Sequence, residues 1–110
     1  MAIVNGKINQ TDTVLLTVPA GLRYAITTIL ICNTASADTG GSNDTTFDLH
    51  FVPQGQSIGA VNQVCKEINV TGAETFTFDT EKMVLSEGDS IVAVSQAPLN
   101  LSATVSFLEV

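Results

Sequence analysis

Apolar and polar residues alternate along most of this chain. The plainest run closes it: Leu99, Leu101, Ala103, Val105 and Phe107 alternate with Asn100, Ser102, Thr104 and Ser106. A period of two is the pattern of a half-buried β-strand. Thr46–Val52 repeats it, with Phe47, Leu49 and Phe51 expected inward and Thr46, Asp48 and His50 outward. Glu74–Thr80 does the same with Phe76 and Phe78 against Thr75, Thr77 and Asp79. Thr13–Val18 alternates more weakly and stops at Pro19-Ala20-Gly21, a turn by its Pro and Gly. Asn62–Val70 predicts a strand with Val64, Ile68 and Val70 inward in spite of Lys66, and with Cys65 on the other face beside Glu67 and Asn69. Leu85 to Ile91 puts a Gly-containing turn between two apolar runs, a hairpin or tight corner. A single helical turn would fit around Thr80–Gly88.

Two segments interrupt the strands. Residues 34–45, "TASADTGGSNDT", are small, polar and Gly-rich, and residues 53–61 are similar; both predict exposed loops. About eight strands with a turn roughly every 8–12 residues predict an all-β fold, a single antiparallel β-sandwich of jelly-roll-like form. The 110 residues make one domain, with residues 1–12 read as an N-terminal arm.

"YAITTILICN", Tyr24–Asn33, departs from the pattern. Counted as a regular strand, one face carries Ala25, Thr27, Ile29 and Ile31, and the other Tyr24, Ile26, Thr28, Leu30 and Cys32. Both are largely apolar, whereas a small sandwich buries one face per sheet. Polar, Gly-rich loops make poor apolar covers, so the pattern predicts that another molecule covers the second face. The simplest partner is a second copy of the chain. Leu15, Leu22, Ile29 and Ile31 are the expected interface residues.

Composition supports strands: 45% of residues are hydrophobic and only 14% charged, with β-branched Thr filling many polar positions. The net charge of −7, with only Lys7, Arg23, Lys66 and Lys82 positive, disfavours nucleic-acid and anionic membrane partners, whose phosphates are bound mainly by Lys and Arg. No window reaches the ~18 apolar residues of a membrane span. The N-terminus lacks a basic segment followed by an apolar run, so no signal peptide is expected. Cys32 and Cys65 are then expected as free thiols, Cys32 in the core and Cys65 exposed.

Candidate chemistry is sparse. His50 is the sole histidine and is expected on a solvated face. No G-x-S-x-G elbow or other nucleophile motif accompanies it, and one His with two distant Cys does not make a zinc set. Asp38 and Asp44 in the Gly-rich loop could offer oxygen ligands to calcium, but without EF-hand spacing. Glu87 and Asp89 flank Gly88 and read as turn chemistry. No enzyme activity, cofactor or metal is expected.

Four motifs carry a resemblance. These are "VPAGLRYAITTILICNT", "FDLHFV", "MVLSEGDSIVAV" with its Leu-x-x-Gly-Asp-x-Ile corner, and a last strand ending "VSFLEV". Together, over roughly Thr13 to Val110, they resemble small β-sandwich virion structural proteins of tailed bacteriophages. The resemblance implies a non-enzymatic capsid decoration (cement) protein, made in the host cytoplasm. It would reside on the virion as a homo-oligomer, a trimer by that analogy, attached to a larger shell protein. The alternative it implies is a tail, fibre or receptor-binding module using the 34–45 and 53–61 loops.

Overall fold

The computed structural model describes residues 2–110, with residues 80–82 described in their backbone only. Eight strands follow one another: β1 (Ala2–Lys7), β2 (Thr13–Thr17), β3 (Tyr24–Asn33), β4 (Thr45–Val52), β5 (Gln63–Val70), β6 (Thr75–Leu85), β7 (Ser90–Ser95) and β8 (Leu101–Glu109). A 3-10 turn at Ala60–Asn62 precedes β5. The strands form two four-stranded sheets, the first in the order β1-β8-β3-β6 and the second in the order β2-β7-β4-β5.

The pairing has a simple origin. β1 pairs with β8, β2 with β7, β3 with β6 and β4 with β5, all antiparallel. The chain is thus one long hairpin, four strands out and four back. Rolling that hairpin sends alternate rungs into opposite sheets, and the β3–β8 and β4–β7 pairings close the roll. This is a jelly roll, an antiparallel sandwich of the predicted class. The predicted helical turn is absent: β6 continues as strand to Leu85. The N-terminal arm is built in, since Ala2–Lys7 pairs with β8 along its length and Ile8 is fully buried.

Side chains from both sheets fill the space between them. Phe47 on β4 meets Phe76 on β6 edge to face at 5.5 Å, and Phe51 meets Phe78 at 5.9 Å. These pairs join the second sheet to the first in a geometry aromatic rings prefer. Tyr24 lies against Phe107 at 4.4 Å, closing one end of the core.

β3 does not keep the period of two. Its register against both neighbours shifts between Ile26 and Thr28. Thr27 is the extra residue, and its hydroxyl donates to the Ser106 carbonyl at 3.0 Å. A β-bulge of this kind moves all following side chains to the opposite face. Tyr24 and Ile26 therefore share the core face with Ile29, Ile31 and Asn33. The outward face keeps only Ala25, Thr28, Leu30 and Cys32, beside Thr104, Ser106 and Thr77. Leu30 is 37% exposed, while Ile29 and Ile31 are 0% exposed. The expected assignment of Ile29 and Ile31 to an intermolecular interface is thus corrected: both are core. The two oily faces counted on a regular strand become one.

A second bulge corrects β5. Glu67 has a left-handed φ of 49°, and the pairing with β4 shifts between Phe47 and Leu49. The Glu67 N–H is met by Asp48 Oδ1 at 2.7 Å. The extra residue takes Lys66 to the surface and turns Cys65 inward, leaving Val64 exposed. The thiols exchange their expected places: Cys65 is buried, Cys32 is half-buried on the outer face, and both are free. Burial raises the Cys65 thiol above its ordinary value of 9.0.

Two outcomes follow. Ile29→Ala should lower stability by about 2–5 kcal/mol, the range for emptying a packed site, and Leu30→Ala by less than about 1 kcal/mol, as measured by urea unfolding. In the native protein, a thiol reagent such as Ellman's should modify Cys32 readily and Cys65 only on unfolding; equal rates would contradict the β5 bulge.

Candidate functional site

The roll gathers its loops at two ends. At one end stand residues 8–12, 34–44, 71–74 and 96–100; at the other stand 18–23, 53–62 and 86–89. The Gly-rich 34–45 segment dominates the first end and is held from beneath by Asn33. That side chain is buried. Its amide donates to the Asn43 carbonyl at 2.7 Å and the Val70 carbonyl at 3.0 Å, and its oxygen accepts from Ala35 N–H at 3.0 Å. Thr45 Oγ1 extends the network to the Pro98 carbonyl and Asn100 Oδ1. The β5–β6 turn packs so closely on this loop that a Cβ on Gly72 would collide with the Ser36 carbonyl oxygen.

Between the loop and that turn lies an open cleft of about 300 Å³, lined by Asp38, Gly41, Asp44, Thr71, Gly72 and Glu74 among others. Three of these carry carboxylates. Asp38 is occupied with its own loop: Oδ1 accepts from Gly40 N–H at 2.9 Å and Oδ2 from the Ser42 hydroxyl. These two bonds, the Ser42 one the stronger, hold its carboxyl below the ordinary value of 3.8. Thr71 Oγ1 is buried with no hydrogen-bond partner among the described residues. Among those residues no group of three or more His, Cys, Asp or Glu side chains is placed to hold a metal ion.

At the second end, the Leu-x-x-Gly-Asp-x-Ile corner is a staple. Gly88 has φ of +83°, open to glycine at little cost. Asp89 uses one oxygen to accept from Ser86 N–H and the other to accept from Gln54 N–H, each at 2.9 Å. The corner is thereby tied to the start of the 53–61 loop. That loop then returns over the outward face of the second sheet. His50, expected in solvent, is only 5% exposed there. Its Nδ1 lies 2.9 Å from Asn62 Oδ1, which also accepts from Gly59 N–H. The Asn62 amide donates back to the Ser57 carbonyl at 2.9 Å. Val52 and Val92 are buried on the same face, apart from the main core. A polar loop therefore does cover apolar strand residues, because Asn62 satisfies the loop's own backbone.

The expected interface residues are not brought together. Ile29 and Ile31 are core, and Leu15 and Leu22 are half-buried against it. Exposed apolar side chains lie elsewhere. Val84 and Leu108 flank Ala25 on the outward face of the first sheet, and Ile3 and Val14 lie on strands β1 and β2. Asn33 and Asn62 were missed as anchors of the loops, and Asp89, read as turn chemistry, also reaches across to Gln54. Their one sequence signal is position, each standing at the last or first residue of an apolar run or turn.

The fold and these loops define a jelly-roll β-sandwich whose polar side chains brace its loops. Set against protein-family models, curated proteins and solved structures, the chain matches none.

The Asp38 bonds have a pH consequence. A carboxyl whose folded value is depressed contributes stability above its ordinary value and loses it as pH falls through the folded one. The Asp38 carboxyl carbon should therefore titrate by NMR with a midpoint below 3.8. Ser42→Ala should move that midpoint up, since it removes the stronger bond.

Proposed function

We propose that this protein is a non-enzymatic structural component of a phage virion, a capsid decoration (cement) protein that associates with copies of itself on a larger shell. One observation carries the reading: the sole histidine and three of the aspartates are spent on bracing the fold. His50 is bonded to Asn62, Asp89 to Ser86 and Gln54, Asp48 to Glu67, and Asp38 to Gly40 and Ser42. A catalytic site needs such groups convergent and free to meet a substrate; a building block needs them as staples. The fold agrees by analogy, since jelly rolls serve as capsid domains, though also as lectins and cupins. The acidic surface suits solubility and a partner with basic patches.

A second reading, a tail, fibre or receptor-binding module, is favoured by the cleft beside the 34–45 loop, where Thr71 Oγ1 is buried without a partner among the described residues. The 53–61 loop supports it less, being held down on the second sheet by Asn62.

Antibody labelling of the native particle in the electron microscope separates the two. The cement reading expects label over the capsid shell, and the alternative expects it at the tail or fibres. Particles carrying no label would overturn both.

A further inference from the structure

A sandwich of two open sheets has four edges, and a free edge is a row of unpaired backbone N–H and C=O groups able to template another strand. Three of the edges here are irregular. β2 shifts register between Val14 and Leu16. β5 shifts twice against β4 and carries the left-handed Glu67. β6 shifts opposite the bulge of β3. Bulges of this kind blunt an edge. β1 is different. Its six residues stay in unbroken register with β8 from Ala2–Phe107 to Lys7–Ser102. It contains no proline, and all its residues but the half-buried Val4 are exposed.

The side chains favour a particular partner. The chain has eleven acidic residues, yet none lies within Ala2–Lys7. The other edges bring carboxylates with them: Asp12 just before β2, Glu67 in β5 and Asp79 in β6. A second β1 is the edge of this protein that meets β1 with no carboxylate on either side. The inward positions of β1, Ala2, Val4 and Gly6, are small. Behind them, between β1 and β2, lies a slot of about 60 Å³ with Val4, Leu15, Ala103 and Val105 in its walls. A strand laid on β1 would roof this slot, and Ile3, 61% exposed, would gain a cross-strand neighbour.

We propose that two copies associate through β1, antiparallel about a two-fold axis, so that their first sheets run on as a single eight-stranded sheet. The contact rests on the reading of this chain as a self-associating structural protein and supplies the surface that Leu15, Leu22, Ile29 and Ile31 do not. It is isologous, so it predicts pairs of chains in place of the trimer that the resemblance implies. The two Lys7 side chains fall at opposite ends of the paired strands and do not oppose each other.

Light scattering with size exclusion tests it, on protein loaded up to about 100 µM, since a single strand pair is smaller than the ~1,600 Å² of a standard stable interface. The expected result is a dimer for the native sequence. Ile3→Lys combined with Asn5→Lys adds two exposed cations to an edge already holding Lys7. It should weaken the dimer at least about tenfold, with the thermal midpoint of the dilute protein unchanged. Hydrogen exchange gives a second measure on the native sequence alone. Every second amide of a lone β1 points away from β8 and exchanges freely; in the dimer all central β1 amides are protected. A monomer across the whole range, a trimer, a dimer unaffected by the double substitution, or free exchange at alternate β1 amides would each overturn the contact. A monomer whose label still decorates the capsid shell would overturn this contact alone and leave the structural reading in place.

Discussion

The structure depends on one extra residue in its third strand. Thr27 breaks the period of β3, and its hydroxyl occupies the Ser106 carbonyl. Without it, Ile29 and Ile31 could face the core only if Ile26 faced water, because a strand slipped by one residue exchanges its faces. With it, Ile26, Ile29 and Ile31 enter one core, each 0–1% exposed. The two ends of the strand follow. Tyr24 turns inward to meet Phe107, and Asn33 turns inward beneath the Gly-rich loop. The packing between the sheets and the anchoring of the largest loop are thus consequences of the same register shift.

Polar side chains do an unusual share of the building. With a charged fraction of only 14%, the chain has few residues from which to build ion pairs. Asn33, Asp48, Asn62 and Asp89 instead each satisfy backbone groups that a bulge or loop leaves without a ladder partner. A buried backbone group left unpaired costs more than a typical hydrogen bond returns, so the buried bond from Asn33 to the Val70 carbonyl is worth more than the bond alone. The arrangement explains how segments rich in Gly, Ser and Asn lie flat on the body of the protein. Several titratable residues, His50, Asp48 and Asp89 among them, are held by the same physics that closes the loops.

The surface follows from the same economy. The outward face of the first sheet is largely Thr and Ser, with Leu30 standing among Thr104 and Thr77. Exposed apolar side chains are scattered: Val84 and Leu108 flank Ala25, Ile3 and Val14 lie on β1 and β2, and Val61, Val64, Leu99 and Val110 stand elsewhere. The association proposed through β1 would use an edge in place of a broad oily face. For β1, that means backbone hydrogen bonding supplies direction and small side chains supply access.

Much of the fold was legible because alternation is local. The runs Phe47–Leu49–Phe51, Phe76–Phe78 and Leu101–Ala103–Val105–Phe107 face inward as their period requires, and Pro19, Pro53 and Gly88 mark corners where the chain turns. The strand number and the sandwich class come from that rhythm. β3 and β5 were misread where the period breaks, and the misreadings carried Ile29, Ile31, Cys32 and Cys65 to the wrong faces. His50 was placed in solvent because nothing in its own strand announces the loop that covers it. The reason is physical. A strand's period is written in neighbouring residues, whereas a bulge exists only where a partner strand supplies the group that holds it, as Ser106 does for Thr27 and Asp48 for Glu67. The sequence by itself determined most of the strands and the corners between them, and the facing of those that keep their period; only the tertiary structure decided that Ala2–Lys7 pairs as a strand, that β6 runs on to Leu85, and which way side chains point in β3 and β5, where the period breaks.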